Sequence, residues 1–273
     1  MQDSSFNMLA HLALTQSGQK LNRSQSDLIV IRLASILRRE NFQSLDDLVQ
    51  CLKARPNQRF EAEIASHLVT RKTRFFDDPV QIETLIDVIK QKCLDSDPLP
   101  PLKIWYPGTA TGQDVYSLII RLVEDKIFKR ANRKIEIIGT DINQASLKRA
   151  RSGAFNHFEI QTGLSARRLL ENFSPLASRD WVLRERVRKK AKFKTHNLIS
   201  DDQSLGRFDI IVCRNVLTDM APGQQKKAVG MLETCLMPEG QIYVGPDDHP
   251  IMLASASGPT TIIGGDRRPI DSF

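Results

Sequence analysis

One stretch constrains this chain more than any other: Lys103-Ile104-Trp105-Tyr106-Pro107-Gly108-Thr109-Ala110-Thr111-Gly112-Gln113-Asp114-Val115-Tyr116-Ser117. A short half-apolar run ends in a loop of small residues, and an amphipathic segment follows at Leu118-Ile119-Ile120 and Leu122-Val123. The pattern predicts a strand, a tight loop and a helix. Gly108 and Gly112 have no Cβ, so the backbone there can turn sharply and come close to a ligand. A helix opening near Gln113 would point its free N–H groups at the same place. By itself a Gly-x-x-x-Gly loop is ordinary turn chemistry, and it is not the Gly-x-Gly-x-x-Gly of a dinucleotide site.

The next apolar run sharpens the reading. Lys134-Ile135-Glu136-Ile137-Ile138-Gly139-Thr140 leads into Asp141, an acid at the C-terminal end of a strand. In a strand–helix–strand unit such an acid lies beside the loop and can accept hydrogen bonds from ribose hydroxyls. Loop and acid together favour a nucleoside site over an ordinary α/β unit with an exposed Asp.

The length of 273 residues suffices for one large domain, or a small one plus a medium one. Hydrophobic residues make up 41% and charged residues 26%, ordinary values for a soluble globular chain. Cys51, Cys93, Cys213 and Cys235 form no Cys-x-x-Cys pair, and the start Met1-Gln2-Asp3-Ser4-Ser5 is polar. Reduced thiols in a cytoplasmic protein are therefore expected. No apolar run is long enough to span a bilayer, and no Cys/His cluster has zinc spacing, so no metal is expected. The net charge of +7 suits an acidic partner surface, although solvated Lys/Arg faces are the commoner cause.

In chain order, the region from about Phe6 to Phe76 reads as all-helical. A helical stripe runs through Leu28, Ile29, Ile31, Leu33, Ile36 and Leu37. Ser44 followed by Asp47 is a capping signal for a second helix, Arg55-Pro56-Asn57 breaks it, and Phe60 to Val69 makes a third. Phe75-Phe76 reads as a linker pinned into a core. Asp97-Pro98-Leu99-Pro100-Pro101 is an extended lead into the first strand. Gly153 suits a left-handed helix cap after Gln144 to Arg151. The segment from Phe155 to Lys194 is longer than a plain crossover needs, with short strands at Trp181-Val182-Leu183 and Ala191 to Lys194 around a basic run from Arg184 to Lys190. Phe208 to Cys213 is a buried-strand run closed by Arg214-Asn215, Gln224 to Leu236 is a helix, and Gln241 to Val244 is a further strand. The tail offers one more strand candidate, Thr260 to Ile263.

Taken in order, these residues resemble the chemotaxis receptor glutamate methyltransferases, the CheR family. The resemblance runs from roughly Leu28 to Val244. It rests on Thr70, Thr73-x-Phe75-Phe76, Trp105…Thr111-Gly112…Tyr116-Ser117, Thr140-Asp141-Ile142, Lys148 to Gly153, His196-Asn197-Leu198 and Phe208-Asp209…Cys213-Arg214-Asn215-Val216. It implies an α/β fold: a class I S-adenosylmethionine-dependent methyltransferase sheet, Rossmann-like, preceded by an N-terminal helical domain and carrying a small inserted β-subdomain. The expected bounds are 1–80 for the helical domain and 81–273 for the α/β domain, with 155–194 as the insertion. In some members the insertion tethers a receptor's C-terminal tail.

The implied cofactor is S-adenosylmethionine or its product S-adenosylhomocysteine, and the implied substrate is a glutamate side chain on a chemoreceptor's cytoplasmic domain or another acidic protein surface. A monomer with no DNA partner and no membrane insertion is expected. Position by position, Asp141 would hold the ribose, and Asn197, Leu198 and Asn215 would flank the adenosine and methionine portions. Thr73, Gly108, Thr109, Gly112 and Gln113 would line the methionine end.

Four departures from the family pattern stand out. Phe-Phe-Arg is here Phe75-Phe76-Asp77, and Gly-Glu-Glu-Pro-Tyr-Ser is Gly112-Gln113-Asp114-Val115-Tyr116-Ser117. An aromatic pair is replaced by Asp219-Met220, and Gly-His-Ser-Glu by Gly245-Pro246-Asp247-Asp248. Asp77 and Asp219 thus stand where the family has groups of the reacting centre. A bare Asp77 about 4 Å from a carboxylate would repel it by about 4 kcal/mol at an effective dielectric of about 20. Two readings stay open at this point: an active, weakened glutamate methyltransferase, or a silent relative that keeps the fold as a regulatory module. A nucleic-acid role, suggested by the net charge and by the stretch from Arg184 to Lys194, ranks last because aromatic residues do not interleave the basic run.

Overall fold

The computed structural model describes residues 1–69, 73–94, 100–258 and 260–265. Thr70 of the linker and residues 97–99 of the expected extended lead lie outside them.

Four helices come first: α1 (Asp3–Ser17), α2 (Ser26–Arg39), α3 (Leu45–Ala54) and α4 (Gln58–Leu68). They enclose their own apolar cluster, including Leu9, Ile29, Leu33, Ile36, Leu48 and Ile64. Each such fully buried side chain contributes about 2 kcal/mol. Ser44 caps α3 by accepting from the Asp47 N–H at 3.1 Å, and Asn57 caps α4 by accepting from the Phe60 N–H at 3.0 Å. The stripe expected on α2 divides. Ile29, Leu33 and Ile36 face inward, whereas Leu28 and Ile31 are 46% and 70% exposed. Positions 28 and 31 lie on a different side of a 3.6-residue helix from 29, 33 and 36, so the two sets cannot share one buried face.

Helix α5 (Pro79–Leu94) leads to β1 (Leu102–Pro107), α6 (Gln113–Glu124), the short α7 (Ile127–Arg130), β2 (Ile135–Asp141) and α8 (Gln144–Ser152). Phe75 and Phe76 are buried ahead of α5, as the paired aromatics suggest. The chain then makes its excursion through β3 (Ala154–Phe155), α9 (His157–Gln161), α10 (Ala166–Asn172), β4 (Phe173–Pro175), β5 (Trp181–Leu183) and α11 (Glu185–Arg188). Strands β3, β5 and β4 form a separate antiparallel sheet. The Phe75 ring meets Phe155 and Phe173 edge-on at 4.9 and 5.6 Å, tying the linker to that sheet. The next strand, β6 (Ala191–Thr195), does not join it. Its backbone pairs in parallel with β2, so Ala191 to Lys194 belongs to the large sheet.

The chain closes with β7 (Phe208–Cys213), α12 (Pro222–Thr234), β8 (Leu236–Val244), α13 (His249–Ser255) and β9 (Thr261–Gly264). The large sheet has the order β6-β2-β1-β7-β8-β9, and every pair in it is parallel. Alternate residues of its strands feed two cores. Ile104, Tyr106, Ile210 and Tyr243 pack on the face covered by α5 and α6, while Trp105, Ile211, Ile242 and Val244 pack on the face covered by α12. A sheet buried on both faces needs the near-continuous apolar runs seen in β1 and β7. From β1 the chain builds outward through β2 to β6, and from β7 in the opposite direction to β9. The order therefore reverses between β1 and β7, and the crevice beyond their carboxyl ends is where such sheets take ligands.

Candidate functional site

Two loops meet in that crevice: Gly108 to Gly112 after β1, and Arg214 to Thr218 after β7. Gly108 has φ +62°, and a Cβ there would stand 2.6 Å from Val216 Cγ2, so the loops can close on each other only if this residue is glycine. Gly112 has φ +87° and starts α6 in the left-handed region. The acid at the end of β2 reaches the loop directly. Asp141 Oδ2 accepts from the Ala110 N–H at 2.9 Å, and Oδ1 accepts from the Asn143 N–H at 2.8 Å. Asp141 is 5% exposed, and each carboxylate oxygen keeps a second lone pair for a further donor. The adjoining Thr140 accepts from the Trp105 indole N–H at 2.9 Å and so fixes the strand end.

Gly108, Asp141, Asn197, Leu198 and Asn215 line one cleft. Thr73, Thr109, Gly112, Gln113, Asp77 and Asp219 lie outside its lining. Ser17, Gln19 and Val69 also line it. These come from the helical region, which gives no local sign of a ligand site. The turn after α1 is stitched to the cleft: Asn197 Nδ2 donates to Gln16 O at 2.7 Å, the Lys20 N–H to Asp219 O at 3.0 Å, and the Ala221 N–H to Gly18 O at 2.9 Å. The Asn197 amide therefore holds the helical region in place, and its Oδ1 accepts from the Ile199 N–H at 3.3 Å. Asn215, at the corner, has φ +56°, a conformation asparagine tolerates better than most residues. Asp248, fully buried, braces this corner by accepting from the Thr218 N–H at 2.9 Å and the Thr218 hydroxyl at 2.6 Å.

Beside the corner lies a compact charge cluster. Arg214, 7% exposed at its side chain, stands 3.1 Å from Asp77, 3.5 Å from Asp114 and 4.0 Å from Asp78. Arg74 Nε also donates to Asp77 Oδ1 at 2.8 Å. Asp77 is therefore neutralised from two sides and does not present a bare charge, which removes the repulsion anticipated from its sequence position. Asp219 faces Arg32 of α2; burial lowers the Arg32 pKa, and the Asp219 charge opposes that. Burial pushes the Asp114 carboxyl up to about 6; Arg214 pulls it back, while Asp77 and Asp78 add to the rise. Three carboxylates and two guanidiniums leave the cluster one positive charge short.

Among the described residues, Thr73 Oγ1, Thr109 Oγ1, Asp114 Oδ1 and Arg214 Nε are buried without a hydrogen-bond partner. Such atoms are costly unless something else satisfies them. Gln113 Oε1 is already taken by the Thr111 hydroxyl at 2.5 Å.

A parallel sheet with its order reversing at β1/β7, a glycine turn and an acid closing the neighbouring strand make a Rossmann-like nucleotide-binding domain, and the family match makes it a class I S-adenosylmethionine-dependent methyltransferase. The family model described as CheR methyltransferase, SAM binding domain, matches residues 71–252, and the chain belongs to that family. It is 27% identical over 236 residues to the Chemotaxis protein methyltransferase Cher2 of Pseudomonas putida, covering 85% of each chain. It is 26% identical over 235 residues to the Chemotaxis protein methyltransferase of Vibrio parahaemolyticus, covering 86% of this chain and 85% of that one. With the Chemotaxis protein methyltransferase 1 of Pseudomonas aeruginosa it shares 25% identity over 236 residues, 85% of each. Among the described residues, no helix is long and apolar enough to cross a membrane.

Proposed function

We propose that this chain methylates glutamate side chains of chemoreceptors, using S-adenosylmethionine. The observation that carries the proposal is the Asp141 carboxylate, held by the Ala110 and Asn143 N–H groups beside the Gly108 turn. In that position it would accept hydrogen bonds from the two ribose hydroxyls. The cleft wall at Asn197, Leu198 and Asn215 flanks the adenosine. The methionine end would extend beyond that lining toward Thr73, Thr109 and the Gly112-Gln113 turn, where the Thr73 and Thr109 hydroxyls are otherwise unsatisfied. The Asp77, Asp78 and Asp114 cluster, one positive charge short, would hold the cofactor's ammonium in place of the acid that Gln113 does not offer.

When bound, the cofactor supplies an electrophilic methyl group. A carboxylate is already ionised and nucleophilic near neutral pH, so no general base is required of this chain. What the protein contributes is position and exclusion of water. The loop after β7 is kept rigid by Asp248, and the turn after α1 covers the cleft. Asp77 acts through Arg214 as a positioning residue. The test is transfer of a tritiated methyl group to receptor-containing membranes. Base-labile label on the receptor supports the proposal; no label together with no cofactor binding ends it.

A further inference from the structure

At the opposite edge of the large sheet lies a second concavity that the methyl-transfer site does not use. A hollow of about 760 Å³ runs between the end of α6, helix α7 and helix α11, with Leu122, Val123 and Phe128 as its apolar floor. Lys126, Lys129, Arg186, Lys189 and Lys190 form its walls. It continues past Phe128, Lys189 and Lys190 into a smaller hollow of about 240 Å³, where Arg133, Lys134 and Lys192 extend the positive charge. Among the lining residues Glu185 and Glu136 oppose these eight cations, and both are already paired, with Lys189 at 2.5 Å and Lys134 at 2.6 Å; Asp209, outside the lining, stands 3.7 Å from Arg133. With these three acids the trough carries a net charge of +5 on a chain whose total is +7. The walls are anchored. Val187 of α11 is fully buried, and Arg186 donates to Glu171 O at 2.7 Å.

From these observations we infer that the trough is a docking site for an acidic polypeptide segment of a partner protein, one that carries an apolar side chain among its carboxylates. The two joined hollows make a furrow suited to a chain rather than to a compact molecule. Six of the eight cations are lysines, compact point charges that attract carboxylates without demanding one fixed geometry. The apolar floor takes a single aliphatic or aromatic anchor. Nucleic acid fits less well. The one aromatic ring, Phe128, already lies under the Lys190 ammonium at 4.6 Å, so it offers no open face for a base. The site is separate from the cleft: β2 enters the trough at Ile135 and reaches the cleft at Asp141, about 20 Å away along a strand. No residue of the three-stranded β3-β5-β4 sheet lines it. The inference therefore does not depend on the proposed methyl transfer.

The test is fluorescence anisotropy on the full chain with a labelled peptide that alternates glutamate and serine around one central leucine. Parallel arms use the same peptide with the leucine replaced by serine, and a single-stranded oligothymidylate. Binding of the leucine peptide should weaken with rising salt, should fall at least tenfold in the double variant Lys126→Glu/Lys129→Glu, and should exceed that of both control probes. Both lysines are exposed, so the double variant should keep wild-type affinity for S-adenosylhomocysteine, which reports an intact fold. An unchanged anisotropy curve in the double variant overturns the inference, and so does tighter binding of the oligonucleotide than of the peptide.

Discussion

Replacing Asp114 by Asn should make the protein more stable above neutral pH and leave it unchanged in mild acid. Burial raises the Asp114 carboxyl from 3.8 to about 6; attraction to Arg214 is insufficient to cancel this, and Asp77 and Asp78 oppose its ionisation further. Between these two values the folded protein keeps a proton that the unfolded chain has released. Stability contributed by this group therefore falls as pH rises from about 4 to about 6, then levels off. The displacement corresponds to about 3 kcal/mol at full ionisation. An Asn side chain has the shape of the protonated acid and leaves Arg214 its partners Asp77 and Asp78. Urea unfolding of wild type and Asp114→Asn between about pH 4 and pH 8 should show curves that coincide in acid and separate by on the order of 3 kcal/mol above pH 6. Comparing the two proteins cancels surface carboxylates such as Glu63 and Glu83, whose pKa values are lowered by paired arginines. A separation independent of pH, or a less stable variant above pH 6, would refute the picture of an overcrowded Arg214.

Two further substitutions probe the walls of the cleft. Asp248→Ala leaves the Val216 and Thr218 N–H groups without their acceptor, costing about 3 kcal/mol; thermal unfolding measures the loss, and cofactor affinity should fall with it. Asn197→Ala removes the bond to Gln16 O, so residues 16–20 should become cleavable by protease under native conditions while the α/β core stays resistant.

Where sequence and structure agree, short-range patterning carried the agreement. The alternation of Ile104, Trp105 and Tyr106 between two cores, the left-handed Gly112, the Gly153 cap and the Ser44 cap all depend on neighbours a few residues away. Asp141 was visible because its two partners, the loop and the strand end, share one strand–loop–helix–strand unit. The features that escaped depend on long-range pairing. Strand β6 looks the same in sequence whether it pairs with β5 or with β2; only the parallel ladder from Ile137–Ala191 to Asp141–Thr195 decides. Ser17 and Gln19 reach the cleft through a turn whose contacts span some two hundred positions, and no local pattern records that. Asp77 looked like a bare charge because Arg214, 137 positions away, is invisible to a reading of Phe75-Phe76-Asp77. Helix α13 lies in a tail whose composition points to one strand and to no helix.

The central claim is that a nucleoside sits over the carboxyl edge of β1 and β2 with its ribose held by Asp141. Isothermal titration of S-adenosylhomocysteine into wild type and Asp141→Ala tests it directly, with thermal unfolding of both confirming a folded sample. Two hydroxyl bonds to a carboxylate are worth about 3 kcal/mol together, so wild type should bind and the variant should lose affinity by roughly a hundredfold. Equal affinity in the two proteins, or no heat of binding in wild type, would contradict the account.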